Sequence, residues 1–324
     1  MNHFPKSGGI TRKDELARNL HRCKGVYGSI YDFIPTSFIV PNEYTKFVHE
    51  FSAIEGPSIW ICKPADLSRG RKIFVFDQLH KLSYDQKCVV QKYVDRPLLL
   101  KGYKFDIRLY ALVTSFHPLR IFLYQEGLVR FATEKYDTES EGLSNQFAHL
   151  TNYSINKNSQ TKDVVKEGIG AGCKWKWTQL VQNELLPTYG ERAISLLQDR
   201  IEHAVLLTCL AVASDIPKQS CCFELFGFDV IVDQQLKPWV LEVNTSPALS
   251  TDSAIDKEVK EPLIADMVDV LGFGYPVGEG GLQGATEELL AEASGSETSL
   301  FGYVAPMGTS AARRLKSLIE EGSG

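Results

Sequence analysis

The chain has 324 residues, 44% of them hydrophobic and 23% charged, with a formal net charge of -5. This is a globular composition, long enough for two or three lobes with buried cores. The negative balance excludes a generally nucleic-acid-binding protein but leaves room for a local basic surface facing an acidic partner. Seven cysteines, two of them the adjacent Cys221 and Cys222, show no zinc-type Cys/His spacing and read as reduced thiols in a cytosolic protein. No apolar run approaches the roughly 20 residues that span a bilayer. The opening MNHFPKSGGITRKDE lacks the apolar centre of a signal peptide, so no membrane partner is expected.

Taken in chain order, Thr11 and Asp14 resemble a capping box, and a helix is expected to run to about Lys24 and stop at Gly25. TSFIVPNEYTKFVHEF reads as a strand, then a helix after Pro41. SIWICKP, KIFVFD and CVVQKYV carry the period-2 or continuous apolar pattern of sheet, and so do KFDIRLYALVTS, LRIFLYQ and GLVRFAT. Residues 136–177 are polar and loop-rich. Two helices follow, WTQLVQNELLPTYG and ERAISLLQDRIEHAVLLTCLAVAS, the second too apolar to be exposed. The hairpin FGFDVIVDQQLKPWVLEVN and a helix over about 256–271 close the folded part. From Gly272 the composition shifts to Gly, Ser, Ala and Glu, and 272–324 is expected to be a largely disordered tail.

The hairpin poses the central chemical question, because each apolar strand carries an acid. A turn centred on Gln235 and Leu236 places Asp229 opposite Glu242, and Asn244 opposite Gly227, with Val240, Glu242 and Asn244 on one face. Opposed like charges are destabilising in a sheet, and burial raises the cost unless a cation lies between them. Two carboxylates and an amide oxygen suit magnesium, with space left for water and phosphate. The alternative is a solvated edge hairpin whose acids face water.

Basic elements bear on that choice. Lys63 ends a strand, and Arg69, Gly70, Arg71 and Lys72 form a turn before the next. Such a loop suits a triphosphate, and equally an ordinary charged turn. Lys104, Asp106 and Arg108 share one strand face, with Phe105, Ile107 and Leu109 on the other. The charged face reads as the floor of a nucleotide site or as a surface ladder. Arg130 is a lone cation in an apolar strand, so an anion is expected inward of it. In HLTNYSINK, Thr151 and Asn152 suit a ribose, a phosphate or metal-bound water. GIGAGC follows no convincing strand and carries little weight as a dinucleotide loop.

In their order along the chain, Lys63, the Arg69–Lys72 loop, QKYV, KFDIR, HLTNYSINK and FGFDVIV…WVLEVNTSP resemble the tubulin tyrosine ligase-like family, over roughly residues 2–271. The resemblance implies an α+β ATP-grasp fold, with two lobes of antiparallel sheet and helices clamping ATP behind a small N-terminal domain. On this pattern 1–56 is a partial, truncated N-terminal domain, 57–100 the central lobe and 101–271 the C-terminal lobe. Lys63 and Lys104 become phosphate-binding lysines, and Arg69 to Lys72 the loop over ATP. Gln91, Lys92, Tyr93 and Val94 become the hinge that reads adenine through its backbone. Asp106, Thr151 and Asn152 face the nucleotide, and Arg108 joins Lys63, Lys104 and Glu242 in catalysis. Asp229, Glu242 and Asn244 match magnesium ligands. Arg130, Tyr153, Ser154 and Lys174 match positions that hold the incoming glutamate, while Thr245 and Lys260 are further substrate candidates, Lys260 as positive surface for an acidic tail.

The implied reaction is magnesium- and ATP-dependent amide-bond formation. A carboxylate of an acidic tubulin tail is phosphorylated, and the acyl phosphate is attacked by free glutamate. Glycine or tyrosine as donor, or a non-catalytic microtubule-binding relative, are the alternatives. Arg130 with Lys174 favours a donor with a second carboxylate. By resemblance, Arg69 and Thr245 point to starting glutamate chains rather than extending them. Lys72 departs from the family's usual glycine. The implied setting is the cytoplasm, on microtubules.

Overall fold

The computed structural model describes residues 3–67, 70–139, 142–151, 169, 174–219 and 221–272, with the backbone of 301–304. Two antiparallel sheets organise them. The first has the order β1-β4-β2-β3, from β1 (Ser37–Val40), β2 (Trp60–Pro64), β3 (Phe74–Phe76) and β4 (Cys88–Lys92). All five β2 residues are buried, which explains its continuous apolar reading and makes Lys63 an exception to explain. Helix Tyr44–Ala53 covers this sheet, with Phe47 edge-on to Trp60 at 5.1 Å. β1 comes from the segment expected to belong to a front domain, yet it is an edge strand here.

The second sheet has seven strands. Its main path joins β10 (Pro238–Thr245), β9 (Glu224–Val232), β6 (Tyr103–Phe116), β7 (Leu119–Phe131) and β11 (Phe301–Val304). β5 (Leu99–Leu100) pairs with β6, and β8 (Lys174–Lys176) with β7. Phe105, Ile107 and Leu109 of β6, with Phe226, Phe228, Val230 and Val232 of β9, meet Leu197, Ile201, Ala204 and Val205 of helix Glu191–Ala213 in one core. The opposite face of β6 and β9 therefore carries the polar alternates, as the period-2 reading of both strands requires. Helix Ala254–Val270 packs Val259 and Leu263 with Tyr110, Leu112 and Tyr124.

Several local expectations are revised. The first long helix spans Lys13–Tyr27 and has no side-chain cap. Thr11 instead belongs to the short helix Gly8–Thr11, and Asp14 is fully buried against Lys87. Its end is Gly28, whose φ of 70° stops the helix where Gly25 did not. LRIFLYQ and GLVRFAT form one strand, β7, because the interruption at Gln125 and Glu126 is absorbed as a ladder irregularity facing Leu109 and Ala111. WTQLVQNELLPTYG contains a π-turn over Val181–Leu185. Within the expected tail, Phe301–Val304 adds a strand to the β7 edge. Among the described residues, no helix is long and apolar enough to cross a membrane.

Candidate active site

A cleft opens between the two sheets. β2 and β4 supply Lys63 and Gln91–Val94, β6 supplies Lys104 and Asp106, and β9 and β10 supply Asp229, Ile231, Leu241 and Glu242. Gly70 and Ile73 border it from the basic turn, and His149, Leu150 and Thr151 from the HLTN segment. Lys13, at the start of the first long helix, also reaches the cleft. Sequence reasoning missed Lys13, since nothing in TRKDEL signals a partner more than two hundred residues away. Its Nζ donates to Leu67 O at 2.8 Å and lies 3.8 Å from Glu242 Oε2.

Two lysines in the cleft are buried, which is unusual without a full counter-charge. Lys63 Nζ donates to Gln91 Oε1 at 2.7 Å, and Gln91 in turn donates to Ser37 Oγ at 2.8 Å. Lys104 Nζ donates to Tyr93 Oη at 2.7 Å and to His149 O at 2.8 Å. Burial pushes Lys63 down to about 8 and Lys104 to about 7, although Glu242 and Asp106 respectively pull upward. Both sites are short of negative charge, a condition that an anionic ligand relieves. Lys92 turns its ammonium to Ser58 Oγ, at 2.7 Å, and over the Trp60 ring.

The hairpin brings the acids together as expected, but by a different route. Pro238 to Val240 pair with Val232 to Val230, a register that would not place Glu242 opposite Asp229. A bulge at Leu241 then shifts the ladder, giving Glu242↔Asp229 and Asn244↔Gly227. The bulge also breaks the expected common face of Val240 and Glu242. Val240 and Val243 both enter the core, while Leu241 and Glu242 both line the cleft. Val240 N is satisfied outside the hairpin by Phe33 O at 2.8 Å. At Gly227 a Cβ would sit 2.9 Å from Pro247 Cβ and 3.1 Å from Arg108 Cδ, so the glycine makes room for that arginine.

Charges then alternate across the sheet. Arg108 is paired through two nitrogens with Asp229, the second contact being 3.0 Å. Arg130 grips Asp106 at 2.7 and 2.6 Å and reaches Asp229 at 2.9 Å. Thr151 Oγ1 donates to Asp106 Oδ2 at 2.7 Å. The anion expected inward of Arg130 is thus a pair of carboxylates. Burial alone would raise Asp229, but Arg108 and Arg130 outweigh it and hold the carboxyl well below its usual range. Glu242 is pushed up by burial and by Asp229, against the pull of Lys13 and Lys63. One strand over, Lys174 pairs in register with Arg130 and donates to the fully buried Asp256 at 2.5 Å. Lys260 lies 2.8 Å from the same carboxylate and donates to Ser250 O at 2.7 Å. Lys174 and Lys260 therefore form a neighbouring cluster around Asp256, a residue sequence reading did not single out, rather than part of the cleft wall.

Thr245 is exposed at the end of β10. Arg69, Asn152, Tyr153 and Ser154 lie outside the described residues. Lys72 takes a left-handed φ of 56° and pairs with Asp85 at 2.7 Å across an exposed surface. A left-handed side-chain residue costs roughly 1 kcal/mol, close to the entropy glycine forfeits on folding. Lys72→Gly is therefore expected to shift stability by less than about 1 kcal/mol and to leave nucleotide affinity unchanged. Thermal melts and a nucleotide titration of the variant check this.

Magnesium takes hard oxygen ligands. Glu242 faces Asp229 and has only a long ion pair to Lys13, at 3.8 Å, against it. Asp229 spends three of its roughly four lone-pair sites on the arginines, and Asn244 Nδ2 sits 3.3 Å from Glu242 Oε1. Asp229, Glu242 and Asn244 thus fit a partial magnesium shell, completed by ligands from elsewhere. Among the described residues no set of three His, Cys, Asp or Glu side chains forms a self-contained metal site.

Two antiparallel sheets closing on buried lysines and paired acids define an α+β protein of the ATP-grasp class. The chain belongs to the tubulin-tyrosine ligase family, whose model matches residues 1–277. It is 47% identical over 277 residues to a human protein described as probable tubulin polyglutamylase TTLL2, and 46% identical to the mouse protein of that description. Each match covers 84% of this chain, but 46% and 50% of the relatives' own lengths, so the chain spans about half of each. Mouse tubulin monoglutamylase TTLL4 is 38% identical over 85% of this chain and 24% of its own.

Proposed function

We propose that this chain is an ATP-dependent amide ligase that adds glutamate to the acidic C-terminal tails of tubulin, in the cytoplasm and on microtubules. The observation that supports this most is the convergence on one cleft of buried, anion-seeking Lys63 and Lys104 with the opposed Asp229 and Glu242. The relatives' names add tubulin and glutamate to that chemistry.

A bound magnesium–ATP complex supplies the phosphoryl group that activates the acceptor carboxylate. Lys63 and Lys104 hold its phosphates, and Gln91–Val94 with Ile231 and Leu241 enclose its base. The turn that carries Gly70 borders it. Glu242, Asp229 and Asn244 would hold the metal as a partial shell, so metal affinity without nucleotide is expected to be weak. Arg108 anchors Asp229 for that role. Arg130 and Lys174, with Tyr153 and Ser154, receive the donor amino acid, and Lys260 adds positive charge for the acidic tail. Fixed cations at the donor site suit glutamate's second carboxylate better than glycine. Arg69 and Thr245 incline the enzyme to the first, branch-point glutamate.

The decisive test incubates the protein with microtubules, magnesium–ATP and labelled glutamate, glycine or tyrosine. Glutamate incorporation alone is expected. Incorporation of glycine or tyrosine instead overturns the donor assignment, and none at all leaves the non-catalytic reading. Mass spectrometry of reacted tails locates the glutamate.

Nucleotide affinity should also depend on pH. Phosphate favours protonated lysines, so their pKa values rise on binding from about 8 for Lys63 and about 7 for Lys104. The free protein already carries the protons below that window and must take them up above it. The Kd for magnesium–ATP therefore weakens as pH rises through about 7 to 9. Calorimetric titrations across that range test the sign.

A further inference from the structure

The HLTN segment contributes Thr151 to the cleft, but its histidine has no role in the chemistry above. His149 is 2% exposed and sits between two tyrosine rings, with Tyr93 at 5.6 Å and Tyr136 at 5.4 Å between centroids. Its Nε2 faces Gly142 O at 3.2 Å, and its Nδ1 faces Tyr93 Oη at 2.9 Å. A carbonyl oxygen only accepts, so Nε2 carries the proton. Burial and the nearby Lys104 hold His149 down to about 4, so the ring is neutral at physiological pH. A neutral ring with Nε2–H must accept at Nδ1, so the Tyr93 hydroxyl donates to it. The Tyr93 oxygen then presents its lone pairs to Lys104 Nζ at 2.7 Å. The backbone carbonyl of the same His149 takes a second Lys104 N–H at 2.8 Å.

We infer that His149 is a positioning residue for Lys104, acting through the Tyr93 hydroxyl to hold the lysine ammonium at the phosphate end of the cleft. The inference rests on the nucleotide reading of that cleft. Donation to His149 polarises the Tyr93 oxygen and makes it a better acceptor. The neutral form is required. A protonated His149 would offer N–H at both nitrogens, reverse the Tyr93 bond and set a second cation beside Lys104. The charged and titratable groups facing this chain are Asp106 and Lys63 toward Lys104, Asp137 and Tyr136 toward His149, and Tyr136 and Asp95 toward Tyr93. Asp106 supports the ammonium and Lys63 opposes it, so Tyr93 and the His149 carbonyl supply its neutral acceptors.

The test measures magnesium–ATP binding by calorimetry across pH for wild type, His149→Phe, His149→Gln, Tyr93→Phe and the double variant His149→Phe/Tyr93→Phe. Phe keeps the buried ring and removes both nitrogens. Gln offers one acceptor and one donor at similar spacing. His149→Phe is expected to weaken binding about tenfold and to move the alkaline loss of affinity toward lower pH, because Lys104 loses support for its charged form. His149→Gln should recover most of both effects. The double variant should bind no more weakly than Tyr93→Phe alone, since the histidine acts through the hydroxyl. Melting curves identify any variant that fails to fold, and the Gln and Tyr93→Phe proteins then carry the comparison. An unchanged pH profile in His149→Phe, or fully additive losses in the double variant, overturns the inference while leaving the nucleotide site intact. Absence of nucleotide binding by the wild type overturns both.

Discussion

Glu242→Gln is expected to lower ligation by at least about 100-fold in a protein that folds normally, a loss typical of removing a charge that acts on the reacting phosphate. The argument has two halves. Burial and the facing Asp229 both disfavour the Glu242 carboxylate, which is why its pKa is raised. A carboxyl raised in the folded state costs stability above its ordinary pKa, because the unfolded chain ionises more easily there. Neutral glutamine removes that cost at physiological pH, so the melting temperature should hold or rise. Function moves the opposite way, since the carboxylate's charge is what draws in the metal. Incorporation of labelled glutamate and a melting curve on the same preparation separate the halves. Undiminished incorporation would remove the hairpin from the mechanism.

Arg130→Met is expected to act on stability itself. Arg130 is 9% exposed, with Asp106 at 4% and Asp229 at 3%, so three charges are buried together. Removing the cation leaves Asp106 with Thr151 as a hydrogen-bond donor and leaves Asp229 to Arg108 alone among the arginines. Breaking a buried pair in this way costs about 3–5 kcal/mol. For a domain of this size that lowers the melting temperature by on the order of 10 °C. Donor binding should weaken in the same variant. A melting temperature within a degree or two of wild type, by calorimetry at neutral pH, would contradict the buried-network reading.

The strands that carry the site were readable because their polar residues interrupt strong period-2 patterns. Lys104, Asp106 and Arg108 alternate with Phe105, Ile107 and Leu109; Lys104 and Asp106 line the cleft, Arg108 pairs with Asp229 beside it, and the three apolar residues enter the core. Asp229 and Ile231 divide from Phe228 and Val230 in the same way. Contacts that depend on long-range packing were not readable. Lys13 reaches the cleft from the first long helix, and Asp256 gathers Lys174 and Lys260 from two elements. His149 stands two residues before the pair, Thr151 and Asn152, that the chemistry of short polar side chains had picked out. Local signals failed where tertiary structure offered better partners. Asp14 binds Lys87 rather than capping its own helix, and the helix continues through Gly25 to Tyr27.

The bulge at Leu241 has a consequence for how the hairpin tolerates changes in length. Counting from either side of it, the ladder is regular, so Leu241 is a supernumerary residue inserted between two registers. Its deletion would join Val240 directly to Glu242 and keep Glu242 opposite Asp229, at the expense of one apolar side chain from the cleft wall. Deleting Val243 instead would move Asn244 one rung along and turn it toward the core. Substitution tables treat neighbouring positions of a strand alike; here, loss of a whole residue should be mild at one site and ruinous two residues later, a contrast visible in the melting curves of the two deletion variants.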